Sequence, residues 1–340
     1  MRVAIVGAGS WGTALCIPLS DNGHEVKVWA RDPQRADEFQ RARENVVHLP
    51  GVKLPPSVGF TANLDEALNG VGLVVFAVPF RTLREVARLC AQRLAQHRWD
   101  RDPVLMTTSK GISTGTAITG TQILAEEFGK EARICCLSGP NFAREVAGRL
   151  PSATVVASSK PEVALTVQET LMTGRFRVYV SYDETGVQIG GALKNVFAIA
   201  VGMSDGLGLG YNARAGLITR GLAEMTRFGL ALGAEARTFS GLSGLGDLVL
   251  TCTGEYSRNR QAGLAVARGQ SLEEFVRSTG FLVEGVYAVQ AVMELSGRLN
   301  VEMPICTEVY RILFEGKSPA EGVNALMWRG RKHEHEGITW

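Results

Sequence analysis

The chain has 340 residues, 45% of them apolar and 21% charged, with a formal net charge of +2 at pH 7. That is the make-up of a soluble globular chain long enough for two cores, and its near-neutral balance argues against nucleic acid or a membrane surface as a partner. The six cysteines, at 16, 90, 135, 136, 252 and 306, contain no C-x-x-C pair, which speaks against a zinc knuckle or a redox dithiol and for reduced core residues.

The opening MRVAIVGAG leads straight into a strand at 2–6 with no signal-peptide pattern before it, so the expected compartment is cytoplasmic. Directly after that strand, Gly7, Gly9 and Gly12 form G-x-G-x-x-G at the start of a helix. The three glycines serve a tight turn, close approach of a pyrophosphate, and helix–strand packing, and the helix N-terminus offers unpaired N–H groups to the phosphates. A second strand, EVKVW at 25–29, ends in Arg31 and Asp32. An arginine there suits a 2′-phosphate and an acidic residue a free ribose 2′-hydroxyl, so NADP(H) is favoured and NAD(H) stays open. Asp32 also reads as a helix N-cap, because Pro33 follows at the first helical position.

Further strands are expected at 73–78, 104–108, 133–137, 153–158 and 176–180, with an amphipathic helix at 81–96. Nearly all-apolar strands alternating with helices imply a parallel sheet covered on both faces. The apolar run at 71–78 is far too short to cross a bilayer. Two polar, glycine-bearing segments follow strands: TTSKGIS, with Lys110, and LSGPNFAREV, with Gly139, Asn141 and Ala143. Carboxyl ends of strands are where open parallel sheets bind ligands.

Beyond residue 183 the strand pattern stops, and helices are expected at 184–202, 212–232, 259–268, 271–278, 284–297 and 303–315. The expected architecture is therefore α/β, a parallel-sheet dinucleotide domain over 1–183 followed by an all-helical substrate domain over 184–332, with 333–340 a loose tail. His333 and His335 in that tail read as solvated residues, and no metal site is expected.

Lys194 and Asn195 interrupt the otherwise apolar GGALKNVFAIAVG. The bland reading is a snorkelling lysine; the sharper one is a proton donor facing a site. SGLSGLGDLVLTC places Asp247 between glycines and an apolar run, and SRNR supplies Ser257, Arg258 and Asn259 at a helix start. Each segment also reads as an ordinary loop or cap, but four of them beside a dinucleotide motif point to one ligand. The parts suit reduction of a small phosphorylated ketone. Arg258 and Asn259 match an anion. A lysine desolvated in an apolar helix can protonate the developing alkoxide, since burial disfavours its charged form. Asp247 would orient it, and Lys110 would position the carbonyl.

Across residues 1–330 the chain resembles the bacterial-type NAD(P)-dependent glycerol-3-phosphate dehydrogenases, through GAGSWGTAL, NVVHLPGVKLP, TTSKGI, SGPNFAREV, GALKNVFAIAVG, GLGLGYNARAGLITRGLAEM, SGLSGLGDLVLTC, SRNR and LVEG. The resemblance implies a Rossmann-like domain and reversible reduction of dihydroxyacetone phosphate to sn-glycerol 3-phosphate for glycerophospholipid synthesis. It implies Lys194 as proton donor and acceptor, with Lys110, Gly139, Asn141, Asp247, Ser257, Arg258 and Asn259 at substrate. Ser10, Trp11, Arg31, Lys110, Ala143, Arg258, Leu282 and Glu284 match cofactor positions, and a homodimer is implied as well. Phe80, Asn141 and His48 depart from the family's usual residues. Rival readings are a β-hydroxyacid dehydrogenase, a ketopantoate reductase, or a redox sensor that binds the dinucleotide without turning it over.

Overall fold

The computed structural model describes residues 1–96, 102–331 and 333–334. They fall into two compact units, Met1–Lys110 with Gly120–Glu184, and Gly111–Thr119 with Thr185 onward. Residues 111–119 thus belong with the second unit, although in sequence they lie among the strands of the first.

The first unit is built on one sheet of eight strands. These are β1 (Arg2–Val6), β2 (Glu25–Trp29), β3 (Val58–Thr61), β4 (Leu73–Phe76), β5 (Val104–Thr107), β6 (Arg133–Ser138), β7 (Ser152–Ala157) and β8 (Phe176–Ser181). Their order across the sheet is β3-β2-β1-β4-β5-β6-β7-β8. Strands β1 to β6 run parallel, and β4 and β5 are buried at every position, which is why they read as unbroken apolar runs. The expected parallel sheet is found, with one antiparallel junction: β7 pairs antiparallel to β6, and β8 pairs parallel to β7. The 139–151 connection holds only a five-residue helix, so the chain turns back beside β6 without crossing the sheet. The 58–61 strand, short and carrying Gly59 at the sheet edge, was not anticipated.

Among its described residues this unit has seven helices: α1 (Ser10–Asp21), α2 (Pro33–Ala42), α3 (Leu64–Leu68), α4 (Phe80–Leu94), α5 (Gly120–Phe128), α6 (Ala143–Ala147) and α7 (Pro161–Leu171). Apolar side chains of α1 and α7 meet those of β1, β2 and β8 in a single core that includes Leu15, Leu19, Val28, Val163 and Val178.

Among the described residues, every regular element of the second unit is a helix, while Gly111–Thr119 form a loop. The unit runs α8 (Glu184–Gly206), α9 (Gly210–Ala231), α10 (Ala236–Phe239), a π-helical turn (Leu242–Gly246), α11 (Asp247–Thr253), α12 (Arg258–Ala267), α13 (Leu272–Thr279), α14 (Glu284–Leu299), α15 (Pro304–Phe314) and α16 (Pro319–Met327). Helix α8 is the centre of its core, buried from Gly186 to Ser204. By length and hydropathy alone α8 would cross a membrane, yet its apolar window lies wholly inside the protein. A helix apolar all round is what such a position requires. Two glycines set the packing here: a Cβ on Gly202 would strike the Arg260 carbonyl, and one on Gly263 would strike the Ile199 carbonyl. Helices α8 and α12 therefore touch at backbone level.

The six cysteines are free and buried. Burial pushes the Cys90 and Cys252 thiols up to about 12. They are packing residues without thiolate chemistry.

Candidate active site

At the carboxyl ends of β1 and β4, the three glycines of the first loop are glycines for different reasons. Gly7 has φ +118°, and a Cβ there would sit 2.6 Å from the Ala77 carbonyl oxygen. A Cβ on Gly12 would run into the carbonyl of Gly7 and lie 3.0 Å from Ile5, so this glycine lets α1 close onto β1. Gly9 is the exception. Its φ of −81° suits any residue and a Cβ would meet nothing within 4 Å. The fold's own packing does not ask for glycine at 9; a group approaching the backbone from outside would. Together with the unpaired N–H groups of the first turn of α1, the loop fits a dinucleotide pyrophosphate. Ser10 and Trp11 open that turn, and Ser10 Oγ donates to the His48 carbonyl at 2.7 Å.

Arg31 is exposed just beyond β2. Asp32 follows it in the chain. Its carboxylate accepts from the Gln34 and Arg35 N–H groups at 2.9 and 3.4 Å, capping α2 as the Asp-Pro pattern foretold. Lys110 follows β5, with Nζ 3.5 Å from the Gly139 carbonyl oxygen. Gly139, at φ +154°, passes so near Thr154 that a Cβ would lie 2.9 Å from its Cα. Asn141 donates its amide to the Ala153 and Pro140 carbonyls at 2.9 and 3.0 Å. Ala143 is the first residue of α6. All of these lie at the carboxyl edge of the parallel strands β1 to β6.

In the second unit, Lys194 is 7% exposed and Asp247 fully buried, and their side chains form an ion pair. Two ions this deep are tolerable only as partners, since either alone would stand desolvated. The π turn at 242–246 delivers Asp247 to the lysine, and a Cβ on Gly244 would collide with the Phe239 carbonyl, so the turn is tight. Thr251, one helical turn on, donates its hydroxyl to the Asp247 main-chain oxygen at 2.6 Å and lies 3.4 Å from its carboxylate.

The neighbouring Asn195 accepts at 2.9 Å from Asn259, whose own amide oxygen accepts from the Gly285 N–H at 2.9 Å. Helices α8, α12 and α14 are pinned together by this one amide pair. Ser257 is the N-cap of α12, accepting from the Arg260 N–H at 3.3 Å, and Arg258 stands exposed at its first turn. Leu282 and Glu284, both half-buried, flank the start of α14.

The first unit thus gathers the loop at 7–12, Arg31, Lys110, Gly139, Asn141 and Ala143 along one sheet edge. The second joins Lys194 to Asp247 and Asn195 to Asn259. Two contributors escaped the sequence reading. Thr251 looks like any helix threonine, and only its four-residue spacing from Asp247 could have drawn notice. Asn45, fully buried under the glycine loop, sits in a polar stretch that offers no contrast. No group of three metal-ligating side chains occurs among the described residues. His333 is exposed, and His335 lies outside the described residues.

Residues 2–164 match the family model for the NAD-dependent glycerol-3-phosphate dehydrogenase N-terminus, and residues 183–324 that for its C-terminus. The chain is 46% identical over 338 residues to the glycerol-3-phosphate dehydrogenase [NAD(P)+] of Moorella thermoacetica, covering 99% of both. It is 46% identical over 336 residues to that of Syntrophotalea carbinolica, covering 98% of this chain and 99% of the relative. The crystal structure of glycerol-3-phosphate dehydrogenase from Coxiella burnetii superposes with a TM-score of 0.91 at 38% identity, covering 96% of this chain and 99% of that one. With its glycine loop, its buried lysine–aspartate pair and both halves matched, the chain belongs to the NAD-dependent glycerol-3-phosphate dehydrogenase family.

Proposed function

We propose that the protein reduces dihydroxyacetone phosphate to sn-glycerol 3-phosphate with a reduced nicotinamide cofactor, reversibly, and that Lys194 is its proton donor. The observation that carries the assignment of roles is the Lys194–Asp247 pair, buried in a helix with no other reason to hold an ammonium. When bound, the cofactor supplies the hydride that the carbonyl carbon accepts. The carbonyl oxygen gains negative charge as this happens, and the Lys194 Nζ–H gives it a proton, so one C–H and one O–H bond form. Asp247 orients the ammonium beforehand and accepts a hydrogen bond from the amine that remains. Run backwards, the neutral amine takes the hydroxyl proton of the product.

The loop at 7–12 would hold the pyrophosphate, with Ser10, Trp11, Ala143, Leu282 and Glu284 completing the cofactor contacts. Arg258 supplies a planar cation for the substrate phosphate, with Ser257 and Asn259 beside it on the same helix start. Lys110, near the Gly139 carbonyl, positions the substrate together with Gly139 and Asn141.

NADP(H) is favoured over NAD(H) in this reading. The support is the occupation of Asp32: its carboxylate caps α2, whereas Arg31 beside it is exposed. A cytoplasmic homodimer feeding glycerophospholipid synthesis completes the proposal, and six unpaired, buried cysteines suit a reducing compartment.

The test is to follow reduced-nicotinamide absorbance with purified protein and dihydroxyacetone phosphate, NADPH and NADH in parallel. Rapid oxidation is expected, faster with NADPH at low cofactor. Cofactor binding without oxidation would leave Lys194 without its role and return the hydroxyacid or sensor readings.

A further inference from the structure

The segment after α2 does more than connect it to β3. Asn45 has no exposed surface and uses its whole side-chain amide. Its nitrogen donates to the Ala8 carbonyl at 2.9 Å and to Thr13 Oγ1 at 2.8 Å. Its oxygen accepts from the His48 N–H at 2.9 Å. The carbonyl of His48 in turn receives the Ser10 hydroxyl at 2.7 Å. Ala8, Ser10 and Thr13 bracket Gly9, the one glycine of the loop that the fold's packing does not require. Loops of successive backbone N–H groups bind anions only while their peptide planes hold one orientation. A hydrogen bond to the Ala8 carbonyl fixes the plane joining Ala8 to Gly9.

We infer that Asn45 is a positioning residue for the cofactor: through Ala8, Thr13 and His48 it holds the glycine loop in its phosphate-accepting conformation. Both amide hydrogens and the amide oxygen are spent, so aspartate, although equal in shape, would turn an acceptor toward the Ala8 carbonyl. The inference rests on the reading of residues 7–12 as the cofactor loop, and the experiment separates the two.

Asn45→Ala, Thr13→Val and Gly9→Val are compared in the intact protein for KM of NADPH, KM of dihydroxyacetone phosphate, kcat at saturating cofactor, and Tm without cofactor. For Asn45→Ala the KM of NADPH is expected to rise about tenfold or more, as loss of two buried hydrogen bonds to the loop would cause, with kcat and the substrate KM within about threefold. Thr13→Val, which keeps shape and removes one acceptor, gives a smaller rise in the same direction. A purely structural role would lower Tm and leave the KM of NADPH unchanged in the folded fraction; that result overturns the inference. If Asn45→Ala yields no folded protein, Thr13→Val decides alone, and an unchanged cofactor KM overturns it. Should Gly9→Val also leave cofactor binding intact, the loop assignment itself falls. A Gly9 effect without an Asn45 or Thr13 effect defeats only the positioning role.

Discussion

Lys194 and Asp247 are 53 residues apart in sequence and paired in the core of the helical unit, an ammonium against a carboxylate with almost no water on either. In the proposed function the pair serves chemistry as well as stability, and the two can be separated by mutation. Lys194→Ala is expected to lower kcat by about 10²–10⁴-fold, the usual worth of a general acid, while cofactor affinity stays within about threefold. It also strands Asp247, at a cost of about 3–5 kcal/mol. Pairing it with Asp247→Leu should return most of the lost Tm and none of the activity. Recovery of turnover in the double variant would show that Lys194 is structural.

Arg258 stands exposed at the start of α12, where truncation removes little packing. Arg258→Ala should weaken transition-state binding by about 1.5–3 kcal/mol, the range for a hydrogen bond to a charged group, with Tm nearly unchanged. The steady-state KM of dihydroxyacetone phosphate checks this, and an unaltered value would remove Arg258 from the phosphate site.

Two alanine substitutions in the glycine loop should divide cleanly. Gly9→Ala, with open space around the new methyl, is expected to leave Tm unchanged and raise the KM of the cofactor. Gly12→Ala forces α1 off β1 and should lower Tm as well, by an overpacking cost of about 1–3 kcal/mol. Thermal melts without cofactor distinguish the two. Equal Tm losses would mean that Gly9 serves the fold after all.

Glu224 on α9 carries a pH dependence of its own. Burial raises its carboxyl from 4.5 to about 7, only partly offset by the N–H groups of Ile305 and Cys306 that it accepts at the start of α15. A raised carboxyl binds its proton more tightly folded than unfolded. Its stabilising contribution is therefore complete below about pH 4.5 and lost as pH rises through about 7, each pH step of one between those limits removing about 1.4 kcal/mol. Tm should fall over this window. Glu224→Gln, which stays neutral, should be less stable than the parent at about pH 5 and close that gap by about pH 8. A gap that stays constant with pH would show that Glu224 is not the titrating group.

The strands β1, β2, β4, β5 and β8 were legible because burial on both faces, or strict alternation, is written into neighbouring residues. Strand β3 was not: VGFT is four residues with a glycine, and edge pairing leaves little local trace. Residues 111–119 were misplaced for a related reason. Their membership of the helical unit is decided by where Ile112 is buried, and nothing in the surrounding sequence encodes that.

The sequence by itself determined the α/β-then-helical order, the glycine loop after the first strand, and the oddity of Lys194 in an apolar helix. Those are local contrasts of polarity and shape, visible within a dozen residues. Tertiary structure alone decided that Asn259 answers Asn195 and that Asn45 reaches the Ala8 carbonyl. Each of these is a choice of partner, and a polar side chain's partner depends on which distant backbone the packing brings within hydrogen-bond reach. The reversal of β7 has the same origin, since direction follows from where a short connection can close and not from the apolar pattern of the strand it delivers.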